Sequence, residues 1–169
     1  MTLSVDCGGG GVKASVLDGV GTMHAKPVRT PTPYPRPPEK LIEIIVGLAD
    51  QLPLTDRVTV GMPGMIRHGV VVHTPHYITR SGPRTKVLPD LRAAWSGFDM
   101  RRAVQERLDQ PALILNDAQV HRAGVIAGAG LELMLTFGTG LGNAVFDGGR
   151  LAPHAELSQS PVRWGLTYD

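Results

Sequence analysis

Twice in this chain a short apolar segment runs directly into a glycine-rich turn, and this pattern limits the fold more than any other feature. Residues 3–5 lead through Asp6 into residues 8–11, which are all glycine, and residues 133–137 lead into the glycine-rich residues 138–142. Each segment is predicted to be a short strand that ends in a turn. With 21 glycines and 14 prolines among 169 residues, short strands and binding loops fit better than a helical bundle.

The remaining segments predict a mixed α/β protein. Five prolines within residues 30–38 predict an extended connection that cannot be the interior of a helix. Residues 76–94 are predicted to be irregular, and a second lobe is expected to begin near Gly130, which gives domains at 1–129 and 130–169. Predicted strands cover residues 3–5, 12–17, 23–29, 57–61, 65–66, 70–72, 112–115, 133–137, 143–146 and 150–151, and predicted helices cover residues 39–52, 98–108 and 118–127.

Charge and cysteine content exclude several classes of protein. The formal net charge is only +2, so a generally basic nucleic-acid binder is not expected. Cys7 is the single cysteine, which excludes an internal disulfide and a cysteine-based zinc cluster. No apolar run is long enough to span a bilayer, and the N-terminus lacks the pattern of a signal peptide. We therefore expect a cytoplasmic protein that binds neither nucleic acid nor a membrane.

The first glycine turn has the composition of an anion-binding loop. Glycines such as Gly8 and Gly9 let the backbone approach an anion and direct several N–H groups at it. Asp6, at the end of the strand, is suited to hold a metal ion or its waters, and Lys13 places positive charge nearby. A plain flexible turn explains a glycine run equally well. It is not a Walker motif, because no Gly-Lys-Ser/Thr sequence follows.

The second glycine turn adds two hydroxyl groups to the same pattern. Gly138, Thr139 and Gly140 follow a predicted strand whose residue 136 is also a threonine. By itself this turn is equally typical of a simple hairpin. The presence of two such loops in one small chain favours a phosphate-binding site formed by both loops.

A third candidate is Asp117, which follows Asn116 at the end of an apolar strand and precedes a predicted helix. A carboxylate at that position caps a helix N-terminus, and this structural role is the more common one. The alternative is a general base that accepts a proton from a substrate hydroxyl.

Several weaker signals have an ordinary surface explanation. Glu156 is either a ligand for a polar substrate or a solvated glutamate. His68, His73 and His76 lie close in sequence, but surface or hydrogen-bonding histidines are far more common than a zinc site. A run of basic residues could meet a polyanion, although a solvated face is more usual. These residues are Arg80, Arg84, Lys86, Arg92, Arg101, Arg102 and Arg107.

Taken together, these elements resemble the repressor/ORF/kinase (ROK) sugar kinases, and most closely their polyphosphate-glucokinase branch. Residues 6–13 are similar to that branch's first phosphate loop, and residues 135–142 resemble its second. Residues 62–64, together with residues 68–71, resemble the segment before the sugar pocket. Residues 115–118 match the strand end that binds the sugar and carries the catalytic carboxylate, and residues 154–157 stand where a Glu-Leu-Gly-His motif is expected.

This resemblance implies an actin-like ATPase, ribonuclease-H-like fold, of which the chain supplies the complete N-terminal lobe and the first strands of a second lobe. It implies glucokinase-like transfer of a phosphoryl group from polyphosphate or ATP to a hexose, with Mg²⁺ as cofactor and Asp117 as general base. The implied sugar-binding residues are Gly64, Asn116 and Glu156. The implied phosphate- and magnesium-binding residues are Asp6, Gly8, Gly9, Lys13, Gly138, Thr139 and Gly140, with Asp6 at the magnesium ion and no zinc site.

The chain also departs from the family pattern. Gly10 stands where serine or threonine is usual, Ser158 and Gln159 replace Gly-His, and the third glycine-rich segment, which holds adenosine, is missing. These departures keep open a second hypothesis, a non-catalytic or truncated relative that acts as a sugar- or phosphate-binding module. A two-lobed fold of this length would leave apolar surface uncovered, so we expect a homodimer.

Overall fold

The computed structural model describes residues 1–82, 85–117, 119–120, 125–137 and 141–152. The chain divides into two compact units, Met1–Asp117 and Ala118–Asp169. In chain order the elements are β1 (Thr2–Cys7), β2 (Gly11–Leu17), β3 (Val28–Pro31), α1 (Pro38–Ala49), β4 (Arg57–Met62), β5 (Met65–Arg67), β6 (Val70–His73), α2 (Pro89–Trp95), α3 (Met100–Leu108), β7 (Ala112–Asn116), β8 (Leu131–Phe137), β9 (Leu141–Asp147) and β10 (Arg150–Leu151). The predicted mixed α/β class is confirmed, while the division at residue 129 stays a prediction.

A five-stranded sheet in the order β3-β2-β1-β4-β7 organises the first unit. Strands β1, β2 and β3 are antiparallel neighbours, whereas β1, β4 and β7 run parallel. The parallel strands need long crossover connections, and these contain the helices. Because parallel strands begin at one edge of a sheet and end at the other, the carboxyl ends of β1, β4 and β7 meet at a single edge.

The core lies on one face of this sheet. Alternate residues of β1 point to that face, so Leu3, Val5 and Cys7 are buried while the residues between them are partly exposed. Helix α1 begins with a proline in its first turn, a position where the missing N–H leaves no hydrogen bond unmade. Its buried residues, such as Leu41 and Ile45, are spaced one helical turn apart and join the same core.

Helix α2 corrects the prediction that residues 76–94 are irregular. It is seven residues long, which is too short for an apolar period to be recognised in the sequence. Its order comes from tertiary packing, since Leu91 and Trp95 are buried in the core. The indole N–H of Trp95 also donates to the carbonyl oxygen of Arg36 at 2.8 Å.

The bounds of two other predicted elements differ from those in the structure. The strand predicted over residues 23–29 is observed as β3, Val28–Pro31, because pairing with β2 at residues 11–14 selects that part of the connection. Proline is tolerated there since β3 is an edge strand. The helix predicted over residues 118–127 falls partly outside the described residues. Residues 119 and 120 are helical, whereas residues 125–127 are not.

The smaller sheets are both antiparallel. Strands β5 and β6 form the second predicted hairpin, and β8, β9 and β10 form a three-stranded sheet in the order β10-β9-β8. Strands β8 and β9 remain paired up to Phe137 and Leu141, on either side of the second glycine turn. In the part of the chain that the structure describes, no helix is both long and apolar enough to cross a membrane.

Candidate active site

The strand register brings the first and third sequence candidates to the same edge of the sheet. Asp6 on β1 is level with Gly61 on β4, and Met62 on β4 is level with Asn116 at the end of β7. One strand separates β1 from β7, which places their axes about 10 Å apart. Asp6 and Asp117 therefore flank one end of the five-stranded sheet.

The first glycine loop is held by side-chain hydroxyl groups from distant segments. Tyr77 donates to the carbonyl of Cys7 at 2.7 Å, Thr32 donates to that of Gly8 at 2.9 Å, and Tyr34 donates to that of Gly9 at 3.0 Å. Burial raises the pKa of both tyrosines, so their hydroxyls stay protonated and able to donate. Three consecutive carbonyls are thus fixed in direction.

These three hydrogen bonds determine where the amide groups of the loop point. In a planar trans peptide the C=O of one residue and the N–H of the next point in opposite directions. The N–H groups of Gly9 and Gly10 therefore point away from Thr32 and Tyr34. The N–H of Gly8 instead closes the turn onto the carbonyl of Gly11 at 2.9 Å. Adjacent backbone amides directed to one side are a common device for binding an anion.

A row of charged residues crosses the sheet beside this loop. Asp6, Lys13 and Arg29 are opposite one another on β1, β2 and β3, and the side chains of both cations are exposed. Gly11 leaves room for the arginine, because a Cβ on that glycine would lie 2.9 Å from Arg29 Nε. Arg29 was not singled out by the sequence analysis, although its pairing with Lys13 places a second positive charge next to the loop.

Asn116 and Gly64 form a contact that the sequence alone did not reveal. The side-chain amide of Asn116 donates to the Gly64 carbonyl at 2.8 Å in a buried setting. Gly64 has a φ of +113°, and a Cβ there would lie 2.1 Å from the His73 carbonyl oxygen. Only glycine fits this turn. The sugar-binding role of both residues stays a prediction.

Asp117 directly follows β7 and is the first residue of a helical segment. Its charge acts on the first loop, as the pKa of the Cys7 thiol shows. Burial is the main reason why that pKa is raised, Arg36 opposes the shift, and the carboxylates of Asp6 and Asp117 add to it. Both carboxylates and the Arg36 guanidinium are therefore near enough to Cys7 to influence it.

Sequence reasoning missed two buried residues near the loop and Gly64, which are Arg36 and Thr74. Arg36 is fully buried, with its guanidinium carbon 4.5 Å from the centre of the Tyr77 ring and 5.7 Å from that of Tyr34. Thr74, next to Gly64, is buried too. No pattern in the proline-rich connection distinguishes Arg36 from a solvated arginine, and only its position between two prolines is unusual.

The other predicted site residues lie outside the described residues. These are Gly138, Thr139, Gly140 and Glu156. Among the residues that are described, no group of three or more His, Cys, Asp or Glu side chains is arranged to hold a metal ion. Magnesium commonly uses one or two protein carboxylates together with substrate phosphates, so Asp6 fits that ion as a single protein ligand. His68 and His73 are exposed.

Comparison with known proteins identifies the family. The model of the ROK family matches residues 2–153, and the chain belongs to that family. It is 28% identical over 168 residues to a polyphosphate glucokinase of Mycobacterium leprae (strain TN), an alignment that covers 94% of this chain and 47% of the relative. The chain thus spans about half the length of the curated relatives that it matches.

Solved structures confirm the predicted fold. The inorganic polyphosphate/ATP-glucomannokinase from Arthrobacter sp. strain KM superposes with a TM-score of 0.75 at 28% identity, covering 96% of this chain and 64% of that one. A ROK family glucokinase from Streptomyces griseus, solved with glucose and AMPPNP, gives a TM-score of 0.66 at 22% identity, with 99% and 48% covered. The chain has the actin-like ATPase fold of the ROK sugar kinases.

Proposed function

We propose that this chain carries the catalytic carboxylate and the first phosphate loop of a glucokinase-like sugar kinase. The reaction is transfer of a phosphoryl group from polyphosphate or ATP to a hexose hydroxyl. Membership of the ROK family supports this proposal. The observation that carries it is the meeting of the Cys7–Gly11 loop, Asp6 and Asp117 at one edge of the parallel strands.

On the donor side, the amides of Gly9 and Gly10 and the cations Lys13 and Arg29 are proposed to neutralise the charge of phosphate oxygens. Gly8 shapes the turn through its bond to Gly11. Asp6 would hold Mg²⁺, which when bound neutralises charge on the donor phosphates. In the second loop Gly138, Thr139 and Gly140 are proposed to contact the same donor.

On the acceptor side, Asn116, Gly64 and Glu156 are proposed to orient the hexose. The Asp117 carboxylate accepts the proton of the reacting hydroxyl while that oxygen forms a bond to the terminal phosphorus of the donor. The bond between this phosphorus and the bridging oxygen breaks, and the shortened donor leaves with the electron pair. Phosphoryl transfer depends mainly on positioning and charge neutralisation, and we assign both to the residues named above.

The test is a coupled assay for hexose phosphate with glucose or mannose and with polyphosphate or ATP. We expect Asp117→Asn to lower the rate by about 10²–10⁴-fold, because asparagine matches aspartate in size but cannot accept the proton. The matched control is Asp109→Asn. Asp109 is an exposed residue in the left-handed conformation at the end of α3, where asparagine is tolerated.

Three results separate the hypotheses. Loss of activity in Asp117→Asn alone supports the general base. A parental rate in this variant would leave Asp117 with only a structural role at the start of the helical segment. If the parent binds hexose and phosphate but transfers nothing with either donor, the chain is a binding module, and the kinase proposal is wrong.

A further inference from the structure

Arg36 is the only charged side chain that is buried in the described part of the chain. Its Nε and both terminal nitrogens have no hydrogen-bond partner among the described residues. A guanidinium group carries five N–H donors and does not lose its proton in proteins. Burial of such a group without partners opposes folding. Packing alone does not explain an arginine here.

The position of Arg36 links it to the first glycine loop. Its guanidinium lies over the ring of Tyr77 and beside the ring of Tyr34. These two tyrosines donate their hydroxyls to the carbonyls of Cys7 and Gly9, on either side of Gly8. The Arg36 backbone is fixed as well, since its carbonyl accepts the indole N–H of Trp95. The cation therefore lies against two of the three side chains that hold the loop.

Arg36 lies among the groups that surround the first glycine loop. The groups that face it are the two tyrosines and Cys7, and the fields of Asp6 and Asp117 act on the same thiol. A cation over the face of an aromatic ring is attracted to it, which keeps Arg36 in place without a hydrogen bond. Its charge is screened little by water, because the whole side chain is enclosed.

We propose that Arg36 is a positioning residue that strengthens the binding of polyanionic phosphate donors to the first glycine loop. It holds Tyr34 and Tyr77 so that the Gly9 and Gly10 amides face the donor, and its unscreened positive charge attracts the phosphate chain through space. It does not touch the donor, because it is enclosed. This inference rests on the proposed function, since it concerns the donor loop of the same site.

The experiment measures the dissociation constants of inorganic tripolyphosphate and of glucose by calorimetry, using the full chain and three variants. Arg36→Met keeps a long apolar side chain over Tyr77 but removes the charge. Arg36→Lys keeps a charge that can be titrated. Arg57→Met is the control for net charge, since Arg57 is exposed at the start of β4, on the opposite edge of the sheet.

We expect Arg36→Met to bind tripolyphosphate about tenfold or more weakly, with glucose affinity unchanged, because one unscreened charge has been removed. We expect Arg57→Met to stay within about twofold of the parent, because an exposed, distant charge is screened. A buried lysine titrates well below its usual range. The affinity of Arg36→Lys for tripolyphosphate should therefore be close to that of the parent at pH 6. By pH 9 it should fall to the affinity of Arg36→Met, with each variant compared with the parent at the same pH.

The pH dependence of Arg36→Lys separates the effect of charge from that of packing. If the role of Arg36 were purely structural, the affinity of Arg36→Lys relative to the parent would not change with pH. The inference is wrong if Arg36→Met binds tripolyphosphate like the parent, if Arg36→Lys binds no better than Arg36→Met at pH 6, or if the parent does not bind tripolyphosphate. If the parent binds tripolyphosphate with an affinity that depends on Arg36 but phosphorylates no hexose, the inference holds and the proposed function is wrong.

Discussion

Strands β1 and β8 carry the same sequence pattern but have opposite environments. Both alternate apolar residues and lead to a glycine-rich turn. On β1 the residues Leu3, Val5 and Cys7 are exposed by 2%, 1% and 0%, whereas on β8 the residues Leu131, Leu133 and Leu135 are exposed by 78%, 56% and 43%. An apolar alternation therefore identifies a strand without revealing whether its apolar face is covered.

The difference comes from the neighbours of each strand. Strand β1 lies between β2 and β4, and its apolar side joins the core that also contains α1. Strand β8 is at the edge of a three-stranded sheet. The turns before and after these strands differ as well. Side chains far away in the sequence hold the loop after β1, whereas the turn before β8 is held locally, by Glu132 accepting the N–H groups of Ala127 and Gly128.

The largest expected contrast is in stability. We expect Leu3→Ala to lower the free energy of unfolding by about 2–4 kcal/mol, because it removes buried methyl groups and leaves a cavity. We expect Leu133→Ala to change it by less than about 1 kcal/mol, because the side chain is mostly exposed. Urea unfolding of both variants with the parent measures the difference. Equal losses would mean that the β8 face is covered in solution.

The second contrast is in thiol reactivity. Burial raises the pKa of the Cys7 thiol, so little thiolate forms between pH 7 and 9, and thiolate is the reactive species. We expect a disulfide reagent to label Cys7 at least about 100-fold more slowly in the folded chain than in urea, because labelling needs local opening. In a Cys7→Ala background, Leu133→Cys supplies a matched exposed thiol, which should react rapidly when folded. Rapid labelling of folded Cys7 would contradict the buried position of β1.

The smallest expected effect concerns the loop itself. Gly10 has nothing within 4 Å of the position of a Cβ, so Gly10→Ser should fold normally. It adds a hydroxyl beside the amides of the loop, and one further hydrogen bond to phosphate is worth about 1 kcal/mol. We therefore expect about fivefold tighter tripolyphosphate binding, measured by calorimetry. Gly8→Ser is the contrasting variant, because its Cβ would lie 3.2 Å from the Gly11 carbonyl oxygen; it should bind less tightly than Gly10→Ser.

Much of the site was accessible to sequence reasoning. Asp6, the glycine run and Asp117 each stand at the end of an apolar segment, and strand ends of that kind can be recognised locally. That these ends meet at one edge depends on the parallel register of β1, β4 and β7, which apolar patterns do not encode. The short helix α2 was missed for a similar reason, because burial of Trp95 rather than an apolar period stabilises it.

The sequence by itself determined the strands β1, β4 and β7, the helix α1, the glycine loop and the family, because these depend on residues that are close together in the chain. Tertiary structure alone decided which apolar faces are covered, that Asn116 binds Gly64, and that Arg36 is enclosed. The hydroxyls on the loop come from residues 24, 25 and 70 positions away. Such contacts form only once the sheet has brought distant segments together, so no local sequence pattern predicts them.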